Sequence, residues 1–584
     1  MKKKIIITFA ILLGTIRYTN AQTNYYVDAL NGNDSNNGIS LTSAWKTIQK
    51  ACNSAIPNSV VQIKAGTYHE NLVVNVSGTP GNFITIKNYM NDVVLIDGTG
   101  TTGTTMLQVT NKNDLGFENL TIQNLTVNNA QGILVETAGS GTSTNLLFKN
   151  IVIKNINWTI NPSTIPTSND NAQGFIAYGG DGGITNITID SCRVFSNIIG
   201  FSEAMSMDGN VNGFTIKNCE IHDNTNIGID IAGNYGTSSN PATDHARNGT
   251  VSENSCYSNV SNYATSGGIY IDGGKNVTVE KNKCYENGWG IEVGCEENGT
   301  TDSVTVKNNL IFNNQQAGMA IGGYTTATTG QVLNSTFRNN TFFQNNSLND
   351  GTGELSLTKL SNCTLENNIF YTNSQNVLMS VDNISPQTNN IFNYNCWFTP
   401  SNNTNNITVN WRTSTYATFA DYKNGASQEV NSIYSNPNLN NPVLPMPDLH
   451  LLTTSACIDG GMPGTIVTNG ETDFDENARI TGGRIDIGAY EFTGTNGINS
   501  RNTNNNQSYI YPDPFYYRAI ISFNTELINA DLKVYNTFGE EIKVVKNIYG
   551  REIKINRDQL NEGVYFYKII EDNKVFSVGK FIVK

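Results

Sequence analysis

The chain has few charged residues and very little histidine. Only 15% of its 584 residues are Asp, Glu, Lys or Arg, and it has four His. The 36 Lys and Arg are outnumbered by 49 Asp and Glu, which gives a formal net charge of −13. This balance argues against nucleic acid or an anionic membrane surface as the main partner. The low charge does not indicate disorder, because apolar residues reach 38% and recur at fixed spacing.

Long hydrophobic runs are also scarce. The run Ile5 to Leu13 follows three lysines and precedes a polar stretch that ends in Ala21-Gln22. It is too short to span a bilayer, and a charged, apolar, then small-residue order is typical of a signal peptide. We therefore predict a signal peptide at residues 1–21 and an exported, soluble mature protein with no transmembrane segment.

One phrase recurs between residues 180 and 375: an apolar residue, two further residues, Asn, four further residues and a second Asn. The first Asn stands at positions 254, 282, 309, 340 and 368, so the differences are 28, 27, 31 and 28 residues. This period, with three short strands in each repeat, predicts a parallel β-solenoid. We expect the repeated Asn to be structural, since Asn tolerates left-handed turns and stacked Asn side chains can hydrogen-bond between coils.

The nine cysteines are an odd number for an exported protein. The repeat register predicts interior packing of free thiols rather than a disulfide framework. Cys192 and Cys219 take the position of the first repeated Asn. Cys256 and Cys284 take an apolar position of the same repeat.

Both ends of the repeat region carry familiar segments. Residues 43–54 are amphipathic and predict a short helix. The segment that follows, Val60-Val-Gln-Ile-Lys-Ala-Gly-Thr-Tyr-His-Glu70, resembles the opening of exported right-handed β-helix proteins, including pectate-lyase-like ones. Asp486-Ile-Gly-Ala-Tyr-Glu491 resembles a closing segment of the same group. The resemblance implies an all-β right-handed parallel β-helix over residues 22–492.

The C-terminal part is predicted as a separate unit. Residues 493–508 are rich in Gly, Asn, Thr and Ser and are predicted as a linker, and residues 509–584 alternate like strands of a small β-sandwich. Tyr511-Pro-Asp-Pro-Phe515, Leu560-Asn-Glu-Gly-Val-Tyr565 and Gly579-Lys-Phe-Ile-Val583 resemble the C-terminal sorting domain of the Bacteroidetes type IX secretion system. The resemblance implies that the type IX machinery is a partner and that the protein is released or attached to the outer surface.

Five short segments of the repeat region align on one another. In each, the second and fourth residues are apolar, so the third and fifth face outward. The segments are Ala204–Gly209, Gly228–Gly233, Gly268–Gly273, Gly290–Cys295 and Gly318–Gly323. Their outward polar residues are Ser206, Asp208, Asp230, Tyr270, Asp272 and Glu292. Carboxyl and phenol groups are therefore predicted to stack on one face.

The coil order predicts which of these carboxyls are near one another. Asp230, Tyr270 and Glu292 should lie on three successive coils, which places Asp230 and Glu292 about 9.6 Å apart at Cα. Asp272 and Glu292 should be about 8 Å apart at Cα. Paired carboxyls at such distances suit glycoside hydrolysis. Asp272 with Glu292 would make a retaining pair and Asp230 with Glu292 an inverting pair, and the sequence leaves both open.

The segments Gly268-Ile-Tyr-Ile-Asp-Gly-Gly274 and Gly290-Ile-Glu-Val293 resemble the nucleophile and acid/base segments of β-helical glycosidases such as the β-xylosidase group. The resemblance implies Asp272 as nucleophile and Glu292 as acid/base. Together with Asp230 these are the predicted catalytic residues. Two insertions, residues 234–247 and 295–302, flank the same face and are expected to line a cleft. The predicted substrate-binding residues are Tyr270, Asp208, Glu203, Tyr235, His245, Arg247 and Glu297.

Three functions remain open from the sequence. The first is a secreted, endo-acting glycoside hydrolase that needs no cofactor. The second is a Ca²⁺-dependent polysaccharide lyase that cleaves uronate-containing glycans by β-elimination, with Lys275 or Arg247 as base and Tyr270 as acid. It ranks second because no Lys or Arg points outward from the five segments. The third is a non-catalytic glycan-binding or adhesive solenoid. In each case we expect a monomer.

Overall fold

The computed structural model describes residues 22–322, 330–384, 387–401, 406–465, 467, 470–494, 508–511, 513–516, 518–557, 560–571 and 574–584. The predicted signal peptide and almost all of the predicted linker lie outside these residues. The chain divides into two compact units, Met1–Thr493 and Gly494–Lys584. Among the described residues, no helix is long and apolar enough to cross a membrane.

The first unit is a parallel β-helix. Each coil places its strands in parallel register with those of the coils before and after, for example Gly267–Asp272 with Trp289–Gly294. Within the described residues, 28 strands are linked into one sheet that covers two faces of the coils. The strands of this sheet are Thr23–Val27, Ser59–Ile63, Leu72–Val73, Ile84–Asn88, Thr105–Thr110, Asn113–Glu118, Ala130–Glu136, Ser143–Lys149, Ala172–Asp190, Met205–Lys217, Ile229–Ala232, Arg247–Ser252, Gly267–Asp272, Lys275–Glu280, Trp289–Gly294, Thr300–Asp302, Thr305–Lys307, Met319–Ile321, Gln331–Leu333, Thr336–Arg338, Leu355–Leu357, Leu360–Ser361, Thr364–Glu366, Val377–Val381, Gln387–Thr388, Ile391–Asn393, Thr408–Trp411 and Ser414–Tyr416.

The remaining face of the coils is a second parallel sheet, with 13 strands in the described residues. Those strands are Gly66–Tyr68, Val94–Asp97, Thr121–Thr126, Val152–Asn157, Arg193–Phe195, Glu220–His222, Ser255–Tyr257, Lys283–Tyr285, Leu310–Phe312, Thr341–Phe343, Ile369–Tyr371, Cys396–Phe398 and Ile433–Tyr434. Inward-facing apolar residues of all faces form one continuous core. The repeat therefore folds as predicted, with alternate residues in the core and outside it.

Two ladders of buried asparagines run along the coils. In each ladder the Nδ2 group of one Asn donates to Oδ1 of the next, at 2.8–3.2 Å. The first ladder is Asn254, Asn282, Asn309, Asn340, Asn368 and Asn395, and the second is Asn197, Asn224, Asn259, Asn287, Asn314 and Asn345. Each ladder ends on a buried carboxyl: Asn395 donates to Glu429 and Asn345 to Glu354. The predicted hydrogen bonding between coils is confirmed.

The left-handed backbone conformation falls on the residue before each ladder position. Lys281 has φ +55° and Asn308 has φ +55°, immediately before Asn282 and Asn309. The expectation that the repeated Asn themselves occupy left-handed turns is therefore wrong. Their side chains are needed inside the stack, where they satisfy backbone groups, and the turn is made one residue earlier.

The cysteines are buried free thiols, as predicted. Cys219 Sγ accepts from the Cys192 N–H at 3.3 Å, and Asn254 Oδ1 accepts from the Cys219 N–H at 2.9 Å. These two thiols thus continue the first Asn ladder. Cys256 and Cys284 pair in register inside the core.

Short helices and a returning segment close the β-helix. The predicted helix at 43–54 is present as a 3-10 turn at Leu41–Ser43 and an α-helix at Ile48–Ser54, with the buried Trp45 between them. A second α-helix, Phe419–Ala426, lies near the last coil. Beyond the last parallel strand, the antiparallel pair Leu439–Asn441 and Asp448–Leu451 follows.

The segment predicted to close the β-helix does not add a further coil. Residues up to 492 run back along the outside of the coils, where Glu471 binds Arg338 at 2.7 Å and the Ala489 N–H donates to Thr341 Oγ1 at 2.9 Å. The parallel stack itself ends at Ile433–Tyr434.

The C-terminal unit is an antiparallel five-stranded sheet with its own apolar core. Its strands are Ser508–Tyr511, Arg518–Tyr535, Glu541–Asn556, Gly563–Glu571 and Lys574–Val583. The long strand Arg518–Tyr535 pairs with three others, and register shifts interrupt its pairing with Glu541–Asn556. The fully buried residues of the C-terminal unit include Phe515, Leu532, Ile569 and Phe581.

Candidate active site

Successive coils place the predicted carboxyls side by side on the outer face of the β-helix. Asp230 pairs in register with Tyr270, and Tyr270 pairs with Glu292. Asp272 pairs with Gly294 in the same ladder. The apolar neighbours of these residues, such as Ile269 and Ile271, are fully buried in the core. The predicted coil order is confirmed, and it fixes which carboxyls face outward.

A cavity of about 450 Å³ lies over this face. Five carboxyl groups line it, from Glu203, Asp208, Asp230, Asp272 and Glu296. Among its described lining residues there is no Lys, Arg or His. The other lining residues are Gln173, Ile176, Tyr178, Phe201, Ser202, Ser206, Asn226, Ile227, Ala232, Tyr235, Ala264, Thr265 and Tyr270. The cavity therefore combines a strongly acidic wall with several aromatic rings.

Asp272 is the carboxyl that is held most firmly. The Tyr235 hydroxyl donates to one of its oxygens, and the backbone N–H of Glu296 donates to the other at 2.7 Å. Burial and the nearby Glu296 carboxyl raise the pKa of Asp272 to about 7, although both hydrogen bonds favour its charged form. Two donors on one carboxyl fix its orientation, and they make Asp272 the group best prepared to react as a carboxylate.

Asp208 and Asp230 are buried but only partly satisfied. Thr237 Oγ1 donates to Oδ2 of Asp208 at 2.8 Å, and Ser206 Oγ donates to Oδ2 of Asp230 at 3.4 Å. Among the described residues, Oδ1 of neither carboxyl has a hydrogen-bond partner. Burial and the Asp244 carboxyl raise the pKa of Asp208 to about 6. The pKa of Asp230 is well above its ordinary value, because the group is buried beside other carboxyls.

Glu203 and Glu296 complete the acidic wall. Burial and repulsion from Asp208 and Asp272 raise the pKa of Glu203 to about 8, so this carboxyl is largely protonated at neutral pH. Burial and the Glu297 carboxyl also raise the pKa of Glu296, against a hydrogen bond from the Tyr270 side chain. A carboxyl such as Glu203 can exchange protons near neutral pH, as acid–base catalysis requires.

Glu292 lies in a neighbouring cavity of about 170 Å³. Tyr270 and Thr265 line both cavities, so the two spaces adjoin at these residues. Burial and the carboxyls of Glu296 and Asp272 raise the pKa of Glu292 to about 8. Trp289 also lines this second cavity. The predicted pair of Asp272 and Glu292 is thus divided between two adjoining cavities.

Of the three predicted binding residues in the first insertion, only Tyr235 lines the large cavity. Tyr235 is 45% exposed, so it stands at the rim. His245 and Arg247 do not line it: His245 is buried with a pKa lowered to about 4 by burial and the neighbouring cations, and Arg247 donates to the carbonyl oxygens of Thr243 and His245. Their predicted part in substrate binding stays a prediction.

The sequence singled out Glu297, but Glu296 is the residue that reaches the cavity. Glu297 is exposed, while Glu296 is partly buried and its N–H contacts Asp272. The signal was present in the register, because Glu296 follows shortly after Gly294, the partner of Asp272. In the described part of the chain, no three His, Cys, Asp or Glu side chains form a group that could hold a metal ion.

Comparisons with known proteins agree with this architecture. A family model of the right-handed β-helix region matches residues 149–342, and one of the secretion system C-terminal sorting domain matches residues 509–584. The chain is 31% identical to the uncharacterized protein YwoF of Bacillus subtilis (strain 168) over 420 residues, which is 70% of this chain and 86% of YwoF. The predicted right-handed β-helix is confirmed, and the sorting domain indicates secretion through the type IX system.

Two solved structures have a similar fold at low identity. The pectate lyase Pel9A is 15% identical with a TM-score of 0.42, and the match covers 80% of this chain and 96% of Pel9A. The GH136 lacto-N-biosidase from Eubacterium ramulus is 14% identical with a TM-score of 0.40, and the match covers 64% of each chain.

Proposed function

This protein belongs to the same right-handed β-helix family as YwoF of Bacillus subtilis, and we propose that it is a secreted, endo-acting glycoside hydrolase, which cleaves internal bonds of polysaccharides. The observation that carries the proposal is the cavity lined by five carboxyls and, among its described residues, by no cationic side chain. Hydrolysis of a glycosidic bond needs one ionised and one protonated carboxyl, and such a cavity can supply both.

In the proposed mechanism Asp272 acts in its ionised form. Its two hydrogen bonds, from Tyr235 and from the Glu296 N–H, hold it in place and stabilise its charge. It would attack the anomeric carbon in a retaining reaction, or activate a water molecule in an inverting one. Support for this role comes from its burial and from the fixed orientation of both carboxyl oxygens.

Glu203 is proposed as the general acid. It faces the same cavity, and its pKa of about 8 keeps it protonated at neutral pH, when Asp272 with a pKa of about 7 is partly ionised. The proton passes to the glycosidic oxygen as the bond to the leaving sugar breaks. The earlier candidate for this role, Glu292, has a similar pKa but lines the adjoining cavity, so the two glutamates are rival acids that mutation can separate.

The elimination alternative has less support. A lyase on this scaffold needs a base, and neither Lys275 nor Arg247 lines either of the two cavities. It also needs Ca²⁺ to neutralise a substrate carboxylate. The hydrolase proposal requires no cofactor.

One assay separates these reactions. The mature protein is incubated with plant and algal polysaccharides, with and without a chelator. New reducing ends without ultraviolet absorbance, insensitive to the chelator, are the expected result. Unsaturated product, seen as new absorbance, would overturn hydrolysis in favour of elimination. Binding without any product would favour an adhesive solenoid.

Two matched variants then assign the acid. Glu203→Gln is expected to lower kcat by about 10²–10⁴-fold, the usual contribution of a positioned acid, and Glu292→Gln by much less. A substrate with a good leaving group, such as an aryl glycoside, should partly restore the rate of the true acid variant, since its departure needs little protonation. Restoration of Glu292→Gln but not of Glu203→Gln would move the acid to the adjoining cavity.

A further inference from the structure

Hydrogen-bond acceptors and donors are unbalanced around the large cavity. Three buried atoms that line it have no partner within the part of the chain that the structure describes: Oδ1 of Asp208, Oδ1 of Asp230 and Oδ1 of Asn226. These residues are only 8%, 5% and 2% exposed. A buried polar atom without a partner is unfavourable, so a ligand that donates to these atoms would be stabilised there.

Neighbouring contacts use the other polar atoms of these three side chains. The Asn226 amide donates through Nδ2 to the Ser202 carbonyl oxygen at 3.1 Å, which leaves its Oδ1 free. Thr237 and Ser206 occupy the other oxygens of Asp208 and Asp230. The free Asn226 oxygen therefore requires a hydrogen-bond donor, and the free oxygens of Asp208 and Asp230 require one when these carboxyls are ionised, the form that a bound cation would favour.

The charge of the cavity further limits the chemical class of ligand that it can bind. Five carboxyls line it, and no Lys, Arg or His is among its described lining residues. A uronate group would be repelled by this wall. A neutral sugar hydroxyl donates one hydrogen bond and carries no charge, whereas an ammonium group donates three, accepts none and is positive.

We infer that the cavity binds a glycan unit with a free, protonated amino group, a hexosamine residue rather than a uronic acid or a neutral hexose. This inference rests on the proposed function and names its substrate class. The amino group donates to Asp208, Asp230 and Asn226, and the exposed rings of Phe201 and Tyr235 at the rim offer faces for the sugar.

The raised pKa of Glu203 is consistent with a cationic ligand in the cavity. Burial, together with repulsion from Asp208 and Asp272, raises the pKa of Glu203 to about 8. A bound cation would offset that repulsion. The net charge of −13 on the whole chain would also favour the approach of a cationic polymer.

The test compares three tetrasaccharides on the wild-type protein: the β-1,4-linked tetramers of glucosamine, N-acetylglucosamine and glucose. Binding is measured by calorimetry at pH 7 and low salt, where Asp208, with a pKa of about 6, is mostly ionised. The glucosamine tetramer is expected to bind at least about tenfold more tightly than the other two, since a charge-assisted hydrogen bond is stronger than a neutral one by that order. Its advantage should shrink as salt is added.

Matched variants locate the effect. Asp208→Asn and Asp230→Asn should each reduce the affinity for the glucosamine tetramer more than the affinity for the glucose tetramer, and so reduce the preference. The control is Glu253→Gln, which removes one exposed carboxyl that does not line the cavity and should leave the preference unchanged. An equal loss in the control would mean attraction by net charge alone and would overturn the proposed contacts.

The wild-type comparison is decisive even if a variant does not fold. Equal binding of the three tetramers, or cleavage of a neutral glycan with no preference for glucosamine, overturns the amino-sugar inference and leaves the hydrolase proposal standing. Preferred binding of glucosamine without cleavage of any glucosamine polymer supports the inference and counts against hydrolysis. Binding of none of the three overturns the inference as well.

Discussion

Two sets of buried carboxyls in the β-helix differ in how many donors reach them. Glu354 accepts from the N–H and the Nδ2 group of Asn345, at 3.1 and 2.6 Å, and Glu429 accepts from Ser432, Asn395 and Trp397. These two groups end the Asn ladders. The cavity carboxyls Asp208 and Asp230 are also buried, but each keeps one oxygen that has no partner among the described residues.

The difference shows that neither burial nor a raised pKa identifies a functional acid. Burial raises the pKa of Glu354 to about 8, the same value to which burial and its neighbours raise Glu203. What separates them is where their hydrogen-bonding capacity is used. Glu354 uses it on Asn345 at the end of an Asn ladder, which is a structural role, whereas the cavity carboxyls face a space that a substrate can fill.

The largest expected effect tests whether that distinction holds for activity. Asp272→Asn removes the carboxylate proposed to react and should lower kcat by about 10²–10⁴-fold or more, without loss of fold. Initial rates of reducing-end release give kcat, and circular dichroism reports the fold.

The matched change in the other set is Glu354→Gln. It keeps an acceptor for Asn345 and should leave kcat near that of the wild type. A similar loss of activity in both variants would mean that the two sets of carboxyls are not functionally distinct.

The next effect is on stability and should appear in the structural set. Glu354→Ala leaves the buried backbone N–H of Asn345 without its acceptor, at about 1–3 kcal/mol, and leaves its Nδ2 group with only the Ile311 carbonyl oxygen. Thermal unfolding followed by circular dichroism should show a lower Tm. Glu203→Gln is the counterpart, and it should hold or raise Tm because it removes a repelled carboxyl. A larger drop for Glu203→Gln than for Glu354→Ala would reverse the assignment.

The fold could be predicted from the sequence because each coil repeats the same local requirements. The spacing of Asn254, Asn282 and Asn309 encodes both the length of a coil and the ladder inside it. The returning segment near Glu471 could not be predicted in this way, since it is held by single contacts, such as that with Arg338, which have no period.

The site could be predicted only as far as the register extends. Strand alternation correctly placed Asp230, Tyr270 and Asp272 on one face. It did not separate Glu292 from Glu203, because which cavity a side chain reaches depends on the loops above the strands. Glu296 was missed for the same reason, since it lies just beyond the strand, where alternation no longer applies.

A smaller effect sharpens the role of donors within the cavity. Tyr235→Phe removes the hydroxyl that donates to Asp272. Loss of a hydrogen bond to a charged group is worth about 1.5–3 kcal/mol, so kcat should fall about tenfold or more. Because that bond favours the ionised form, the pKa of Asp272 should rise, and the acidic limb of the kcat/KM profile should move to higher pH.

Tyr263→Phe is the control for this change. The Tyr263 hydroxyl donates to the carbonyl oxygens of Gly200 and Thr225, at 2.5 and 3.0 Å. Both of these acceptors are backbone groups, which do not titrate. Loss of the Tyr263 hydroxyl should leave the acidic limb in place. If the acidic limb of the kcat/KM profile does not move in Tyr235→Phe, the Tyr235 hydroxyl does not influence the pKa of Asp272.

The smallest effect is the pH dependence of stability that the cavity adds. Burial and Asp244 raise the pKa of Asp208 to about 6 from an ordinary 3.8, so the folded protein holds this proton more tightly than the unfolded chain does. The stability from this group is fully present below pH 4 and is lost as the pH rises to about 6. In so large a unit the change in Tm should be only about a few degrees.

Asp208→Asn separates the contribution of the cavity from that of distant buried acids such as Glu354, which titrate equally in both proteins. The pKa of Glu203, which repulsion from Asp208 raises, should fall in the variant. The wild type should lose Tm relative to Asp208→Asn as the pH rises from 4 through 6, where Asp208 ionises, and on to about 8, where Glu203 ionises beside it. The Thr237 hydroxyl can still donate to the amide oxygen of the variant, so the hydrogen bond from Thr237 is kept. If the difference runs the opposite way, Asp208 is stabilised as an anion, and the cavity already satisfies the oxygen that we have assigned to a substrate.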